Sequence, residues 1–510
     1  MGIFYLIRLE TCKPHGTIPP VRRKNMLDQL KTEANRVHTE NDAVTHASSL
    51  SDCLDLFADI GALRNAEEEA IIHRFLRAYT EDADIAMKIL FFGRDVRGGL
   101  GERRLFRIIL RWLAGYHPDS VRKNIDLIPE YGRYDDLLAL LDTPCEKDAL
   151  RLIRHQLKAD LTSTGEVSLL AKWLPSVNAS NPETVRRAKR LARFLGMSDG
   201  QYRKTLTALR KRINILEHHL CSKDYTFDYA KQPSKAMFKY RKAFLRHDGE
   251  RYRAFLAAVQ AGEAKLHTDA LYPYEIVRSA FSNPLNELSE GEKASLNASW
   301  AALPDYCDNR NALAIIDTSA SMYWYDKGLP AAVAFSLGLY FGERNTGFFH
   351  NHFIEFSDTP QLLEIKGKTF TDRLSYLSTF TQVADTNIEA VFNLILAAAV
   401  HNGLPQEELP ETLYIISDME FNICVRNASL SNYENAKHQF ALHGYHLPNI
   451  VFWNVASRNS YQPVTMNEAG VVLVSGCSPR LFTMITTGDL TPYTAMMDLL
   501  DTNRYASIVA

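Results

Sequence analysis

One short apolar run constrains the fold of this chain more than any other feature: residues 313–316, which end directly in Asp317. An apolar run without polar alternation is typical of a strand buried on both faces, as in a parallel sheet covered by helices. Asp317, Ser319 and Ser321 follow at the carboxyl end of this strand, where open α/β sheets place their ligands. One carboxylate and two hydroxyls suit Mg²⁺ better than zinc or copper. Taken alone, these residues are also typical of a polar capping turn.

Two later segments carry side chains of the same chemistry. Thr386 stands just before an amphipathic helical pattern that begins at residue 388. Asp418 follows a second apolar run, residues 412–417, which predicts another buried strand. The sequence therefore offers two strands of one sheet, each followed directly by oxygen-bearing side chains.

This order of strand, serine loop, threonine loop and strand with a terminal aspartate resembles the von Willebrand A domain and its metal-ion-dependent adhesion site. The resemblance implies that Ser319, Ser321 and Thr386 contact Mg²⁺ or another divalent cation directly. It implies that Asp317 and Asp418 bind the ion directly or through water. One coordination position would remain for an Asp or Glu carboxylate of a protein partner.

Length, charge and cysteine usage limit the number of domains, the partners and the cellular compartment that the chain can have. Its 510 residues exceed what one core usually holds, so more than one domain is expected. The net charge of −2 divides into −9 for residues 306–510 and +7 for residues 1–305, which indicates different partners for the two parts. The scattered cysteines, without a C-x-x-C pair, predict a reduced, cytoplasmic protein, and the absence of a long apolar run predicts no membrane span.

The pattern predicts an α-helical part followed by an α/β part. We expect a poorly structured leader over residues 1–40, a helical repeat domain of HEAT-like type over residues 41–305, and a doubly wound α/β domain over residues 306–510. An irregular helical bundle is the alternative for the helical part. Residues 351–356 and 361–365 predict a strand pair, the one antiparallel feature of the sheet.

The helical part contains a strongly basic tract, residues 186–253, with 19 Lys and Arg against 6 Asp and Glu. Such an excess predicts nucleic-acid binding through phosphate contacts, with the interleaved aromatics Phe238, Tyr240 and Phe244 either stacking bases or packing in the core. The candidate nucleic-acid-binding residues are Arg186, Arg187, Lys189, Arg190, Arg203, Lys204, Arg210, Lys211, Arg212, Lys235, Lys239, Arg241 and Lys242. A second basic segment, the glycine-rich loop at residues 91–104, could bind phosphate or form a tight interhelical turn.

Taken as a whole, the chain resembles the Ro autoantigen family, in which a TROVE-like helical-repeat domain precedes a von Willebrand A domain. It resembles more closely an allied family of unknown function with the same two-part layout. The segments that carry this second resemblance are residues 94–103, 131–137, 173–176, 233–237 and 271–276. The resemblance implies a ribonucleoprotein component whose helical part binds a small structured or single-stranded RNA.

We therefore predict a non-enzymatic RNA-binding scaffold or chaperone that docks a protein partner through Mg²⁺. No catalytic residue is assigned, because no histidine stands near Ser319 or Ser321 in the sequence. A protein–protein adaptor without RNA binding is the first alternative, and a metal-dependent hydrolase is the second.

Overall fold

The structure, a computed structural model, describes residues 26–281, 285–307, 311–356, 358–380, 386–422, 430–485 and 490–510. The chain divides into two compact units, residues 1–36 and 37–510. Residues 1–25 of the predicted leader lie outside the described residues. In the first unit, helix α1 (Met26–Ala34) precedes strand β1 (Arg36–His38), which reaches the boundary between the units.

The second unit begins with strand β2 (Val44–His46) and continues as a series of helices, which confirms the helical character of this part. These helices are α2 (Asp52–Asp59), α3 (Glu68–Glu81), α4 (Ala83–Arg94), α5 (Arg104–Tyr116), α6 (Pro118–Asn124), α7 (Ile128–Tyr131), α8 (Glu146–Thr162), α9 (Leu170–Trp173), α10 (Pro182–Phe194), α11 (Asp199–Ile213), α12 (Leu216–Cys221), α13 (Ser234–His247), α14 (Gly249–Gln260), α15 (Pro273–Ala280) and α16 (Glu290–Ala301).

Local sequence explains where several of these helices begin. The side chains of Ser51, Asn181 and Ser198 accept hydrogen bonds from backbone N–H groups in the first turns of α2, α10 and α11. These bonds satisfy N–H groups that have no partner within the helix. Short 3₁₀ segments occur at Leu63–Asn65, Ile125–Leu127, Tyr134–Leu140, Tyr229–Lys231, Leu285–Glu287, Tyr325–Gly328 and Gln406–Glu408.

From Ala312 onward, strands alternate with helices, as the sequence predicts. The strands are β3 (Ala312–Asp317), β4 (His352–Phe356), β5 (Gln361–Glu364), β6 (Thr412–Ser417), β7 (Asn449–Asn454) and β8 (Val471–Ser475). The helices are α17 (Ala320–Trp324), α18 (Leu329–Arg344), α19 (Phe370–Leu377), α20 (Ile388–Asn402), α21 (Asn432–Leu442), α22 (Leu481–Met484) and α23 (Pro492–Leu500).

These strands form one six-stranded sheet in the order β5-β4-β3-β6-β7-β8. Every neighbouring pair is parallel except β4 and β5, so the predicted antiparallel strand pair is confirmed. The chain runs outward from β3 through β4 in one direction and from β6 through β8 in the other. The order therefore reverses between β3 and β6, and the carboxyl ends of these two strands flank the crevice where sheets of this kind bind ligands.

The helices and the sheet share one hydrophobic core, in which α2 lies directly against the end of β8. Gly61 follows α2 and donates its N–H to Ser475 Oγ at 2.9 Å. A Cβ atom at Gly61 would lie 2.4 Å from the Ser475 carbonyl oxygen, so only glycine permits this approach. A second, smaller core joins α12, α13 and α14 and contains Phe244, which decides between the two interpretations of this aromatic in favour of core packing.

Candidate functional site

The carboxyl ends of β3 and β6 bring two carboxylates to one edge of the sheet. Asp317 ends β3, and Asp418 follows β6 directly; both side chains are buried. Asp317 Oδ1 accepts the Ser319 N–H at 2.8 Å, and Oδ2 accepts the Ser417 hydroxyl at 2.5 Å. Burial raises the pKa of Asp317, and the neighbouring Asp418 carboxylate raises it further. A cation at this edge would favour the charged form of Asp317 and so oppose both causes of its raised pKa.

The two serine hydroxyls of the same loop lie together. Ser319 Oγ is 3.2 Å from Ser321 Oγ. Ser319 occupies the cap position of α17, but its side chain makes no capping hydrogen bond to that helix. Its hydroxyl is therefore not used to cap α17, which disfavours the capping-turn interpretation of this serine.

The threonine loop lies next to the loop that follows β6. Thr386 is buried, and its carbonyl oxygen accepts the Asn422 N–H at 3.0 Å. The structure thus joins the backbone of Thr386 to the segment that begins with Asp418. Residue 385 lies outside the described residues.

This oxygen-rich edge fits a hard cation. Asp317 and Asp418 would supply carboxylate oxygens, and Ser319 and Ser321 would supply hydroxyls, the donors that Mg²⁺ prefers. Each carboxylate has about four acceptor positions, so the hydrogen bonds to Asp317 leave acceptor capacity for an ion. Within the described ranges, no group of three or more His, Cys, Asp or Glu side chains could hold a metal. An ion at this edge would therefore depend on the hydroxyls.

One cationic side chain already contacts this edge. Arg458 Nη1 lies 3.4 Å from Asp418 Oδ2, and its other terminal nitrogen pairs with Glu40. Glu40 belongs to the segment before β2, which lies along the loop after β6, because the Glu40 N–H donates to Glu420 Oε2 at 3.0 Å. Arg458 thus offsets part of the negative charge near Asp418.

In the basic tract, three of the predicted nucleic-acid-binding arginines donate to backbone carbonyl oxygens of the protein itself. Arg210 donates to the carbonyl oxygens of Ala171 and Leu174, each at 2.8 Å, at the C-terminal end of α9. Arg212 donates to three carbonyl oxygens at the C-terminal end of α8, at distances of 2.7–2.9 Å. Arg241 is buried and donates to Phe238 O at 2.6 Å.

These contacts have a structural explanation. The last carbonyls of a helix lack partners within it and carry partial negative charge, so a guanidinium group is a suitable partner for them. Arg210 and Arg212 therefore tie α11 to α9 and α8, which leaves fewer donors for a phosphate.

Five other predicted residues form ion pairs within the protein. Arg187 pairs with Glu183, Lys189 with Asp199, Arg190 with Asp142 and Glu146, Lys235 with Glu275, and Lys242 with Glu292. Except for the half-buried Arg190, their side chains remain exposed, so these pairs can be exchanged for contacts with a phosphate at small cost.

The remaining cations point to a more specific surface. Arg203, Lys204 and Lys211 lie on α11 and are exposed, and their side chains form no ion pair or hydrogen bond within the described part of the chain. Arg186 on α10 is similarly exposed and unpaired there. Lys239 lies 4.8 Å from the centre of the Tyr240 ring.

The structure also contains an arginine-lined cleft, which sequence reasoning missed. Its volume is about 1260 Å³, and seven arginines and four acidic residues line it. The arginines are Arg103, Arg107, Arg111, Arg186, Arg187, Arg190 and Arg193. The regular spacing of Arg103, Arg107 and Arg111 along one helical face was the available signal. That this helical face and α10 line the same cleft depends on tertiary structure, which the sequence pattern does not show.

Comparison with known proteins places this chain in a family. The family described as "Domain of unknown function (DUF2828)" matches residues 39–159 and 145–310, which together exceed half of the chain. The chain belongs to this family. The family described as "Domain of unknown function (DUF7788)" matches residues 311–496, the part that contains the sheet. The DUF2828 match confirms the predicted membership in a family of unknown function.

A relative of this DUF2828 protein has a similar length. The chain is 29% identical over 509 residues to the uncharacterized protein L728 of Acanthamoeba polyphaga mimivirus, covering 92% of this chain and 88% of the viral protein. Among solved structures, the crystal structure of the Deinococcus radiodurans RO (RSR) protein aligns with 86% of this chain and 93% of that chain. The identity is 13% and the TM-score 0.40, too low to support a functional argument.

The described helices also bear on the membrane prediction. None of them combines the length and the apolar character needed to cross a lipid bilayer.

Proposed function

We propose that this DUF2828 protein is a non-enzymatic RNA-binding scaffold. The observation that carries the proposal is the exposed basic surface of α11, formed by Arg203, Lys204 and Lys211. Because these side chains form no ion pair within the described residues, a phosphate could bind them without displacing a protein carboxylate. The cost of desolvating such exposed cations is small, and the release of counterions from RNA favours binding.

The test compares RNA affinity between variants matched in charge. Arg203→Gln, Lys204→Gln and Lys211→Gln together remove three positive charges from α11. Lys265→Gln, Arg278→Gln and Lys368→Gln remove the same number and types of charge from exposed positions elsewhere. In filter binding with mixed cellular RNA, we expect the α11 variant to bind at least about tenfold more weakly than the wild type. The matched variant should change by less than about threefold.

Two results would contradict the proposal. An equal decrease of RNA affinity in both variants would mean that only the net charge of the protein matters. The absence of RNA binding by the wild type at low salt would overturn the scaffold proposal. If the protein bound no RNA but captured a protein partner, the adaptor function would be favoured instead.

We further propose that the α/β part is a von Willebrand A-like domain whose sheet edge binds Mg²⁺ and docks a protein. The support is the juxtaposition of Asp317, Ser319 and Ser321 at the end of β3 with Asp418 at the end of the neighbouring β6. Thr386 would complete the set of ligands. A bound cation would outweigh the local negative charge and offer a coordination position to a partner's carboxylate.

Removal of one carboxylate tests the metal proposal. Asp317→Asn keeps the size of the side chain but removes its charge, so we expect Mg²⁺ or Mn²⁺ binding to weaken at least about tenfold in isothermal titration calorimetry. The control is Asp498→Asn on α23, an exposed position of the same α/β part. Unchanged metal binding in Asp317→Asn, with the fold intact by circular dichroism, would exclude this site.

A further inference from the structure

The cleft described above has two arginine-bearing walls, one from α5 and one from α10. Arg103, at the start of α5, and Arg107 and Arg111 within it recur every four residues, so they lie along one face of the helix. Arg186, Arg190 and Arg193 recur at four and three residues along α10. Both rows line the same cavity, so guanidinium groups approach it from two sides.

Protein carboxylates hold several of these guanidinium groups in place. Asp135 contacts Arg103 at 3.0 Å and Arg107 at 2.7 Å, and Glu146 contacts Arg190 at 2.6 Å. Such contacts limit the rotamers of long side chains, which lowers the entropy cost of binding a ligand. The arrangement is therefore partly organised before any ligand arrives.

Other arginines retain their full donor capacity. Arg111 and Arg186 form no ion pair or hydrogen bond among the residues that the structure describes, and both are exposed to the cleft. Around Asp142, a hydrogen bond from Arg190 and the charges of Arg111 and Arg186 hold the pKa of the carboxyl below its ordinary value. Guanidinium groups from both walls thus act on one carboxylate.

The composition of the lining indicates the kind of anion. Seven arginines against four acidic residues leave an excess of three positive charges, and no lysine is among the lining residues. Arginine binds phosphate through two parallel N–H donors, whereas lysine acts as a point charge. The lining also includes Trp112 and Trp173, and Arg133 lies 4.2 Å from the centre of the Trp173 ring. The cleft therefore combines forked donors with aromatic side chains.

We propose that this cleft binds a compact polyphosphate, a small ligand that carries several phosphate groups. Its charges converge on a bounded volume from two walls, which suits phosphates that project in several directions from one small molecule. An RNA backbone instead needs cations spaced along an extended path, such as the exposed face of α11. The cleft includes the candidate nucleic-acid-binding residues Arg186, Arg187 and Arg190 but none of the three α11 cations on which the RNA proposal rests, so either proposal can hold without the other.

The test measures binding of inorganic tripolyphosphate and of myo-inositol hexakisphosphate to the full chain by isothermal titration calorimetry. Both should bind more tightly than sulfate at equal ionic strength. Arg111→Gln with Arg186→Gln should weaken their binding at least about tenfold, because two charged hydrogen-bond donors are removed. Neither arginine has a hydrogen-bond or ion-pair partner in the described part of the protein, so this variant should keep its fold.

The control removes two exposed arginines outside the cleft, through Arg246→Gln on α13 and Arg253→Gln on α14. This control should bind both ligands within about twofold of the wild type. Three results would overturn the proposal: equal weakening in the two variants, affinity no greater than that for sulfate, or displacement of the bound ligand by oligouridylate. The last result would assign the cleft to RNA.

Discussion

Asp136 contacts three arginines, one of which, Arg107, lines the arginine-lined cleft. Its buried carboxylate accepts hydrogen bonds from Arg94 at 2.7 and 2.9 Å and from Arg107 at 2.6 Å. It also accepts the Arg133 N–H at 2.9 Å and so helps to start the 3₁₀ segment Tyr134–Leu140. Arg94 is itself buried, so the Arg94 guanidinium and the Asp136 carboxylate each need the other as a counter-ion.

Loss of the Asp136 charge should destabilise the whole protein. Asp136→Asn would leave the buried Arg94 guanidinium without its counter-ion, which typically costs about 3–5 kcal/mol. We expect a clear decrease in the urea midpoint, measured by circular dichroism. Asp498→Asn, at an exposed position, should change the free energy of unfolding by less than about 0.5 kcal/mol. Equal midpoints for the two variants would contradict this role of Asp136.

The contacts of individual arginines could not be predicted from the sequence. Charge alone placed Arg210 and Arg212 with Arg203 and Lys211 in one basic tract. The structure instead directs Arg210 and Arg212 to the carbonyl ends of α9 and α8. These contacts join residues 39 and 52 positions apart, and composition contains no information about such distances. The nucleic-acid-binding assignments themselves stay predictions.

Among whole elements, the strands and long helices could be predicted well because their signal is local. The apolar runs predicted β3 and β6, and the buried pattern of each strand explains why. Apolar residues at three- and four-residue spacing over residues 147–161 predict a helix, and α8 occupies Glu146–Thr162. The same spacing predicts a helix over residues 135–141, but the structure has the 3₁₀ segment Tyr134–Leu140 there, and Asp136 accepts the Arg133 N–H at its start. The HEAT-like repeat stays a prediction, since no fixed period marks the helices.

The glycine-rich loop after α4 contacts an element that sequence reasoning did not connect with it. Asp95 lies at the end of α4 and is buried, where Arg504 Nη2 contacts its Oδ1 at 2.7 Å. Tyr505 donates its hydroxyl to Gly98 O at 3.1 Å. The segment after α23 therefore packs on this loop, which supports the interpretation of the loop as an interhelical turn.

The Asp95–Arg504 contact should make stability depend on acidic pH. Burial alone would raise the pKa of Asp95, but hydrogen bonds from Arg504 and from the N–H groups of Arg97 and Gly98 hold it below its ordinary value of 3.8. A depressed pKa in the folded state stabilises the protein above the unfolded value, and this contribution disappears as the pH falls below about 3.8.

Urea unfolding at several pH values tests this contribution. Asp95→Asn should lower the free energy of unfolding by about 1.5–3 kcal/mol at pH 7, because a charged hydrogen bond is removed. The difference between the wild type and the variant should shrink as the pH falls below 3.8. Asp498→Asn serves again as the control. A difference that stays constant down to about pH 3 would contradict the depressed pKa.

On the scale of the whole molecule, the basic helical part and the acidic α/β part share one compact unit from residue 37 onward. Residues 37–510 form a single compact unit, and Gly61 meets Ser475 where the helices contact the sheet. The predicted boundary between residues 305 and 306 lies close to the point where the two family matches meet, although it stays a prediction as a division between domains. The oxygen-rich sheet edge could be predicted because two apolar runs each end directly at an aspartate, and parallel strands bring their carboxyl ends to one edge. The arginine-lined cleft could not be predicted, because α5 and α10 are distant in sequence.

The measurement that tests the central claim most directly is the salt dependence of RNA binding. We predict a steep negative slope of log affinity against log salt for the wild type. In the Arg203/Lys204/Lys211 variant, the slope should become shallower by about 0.7 for each phosphate of single-stranded RNA that α11 no longer neutralises. The Lys265/Arg278/Lys368 variant should keep the slope of the wild type. Identical slopes for all three proteins, or no binding at low salt, would contradict an RNA-binding surface on α11.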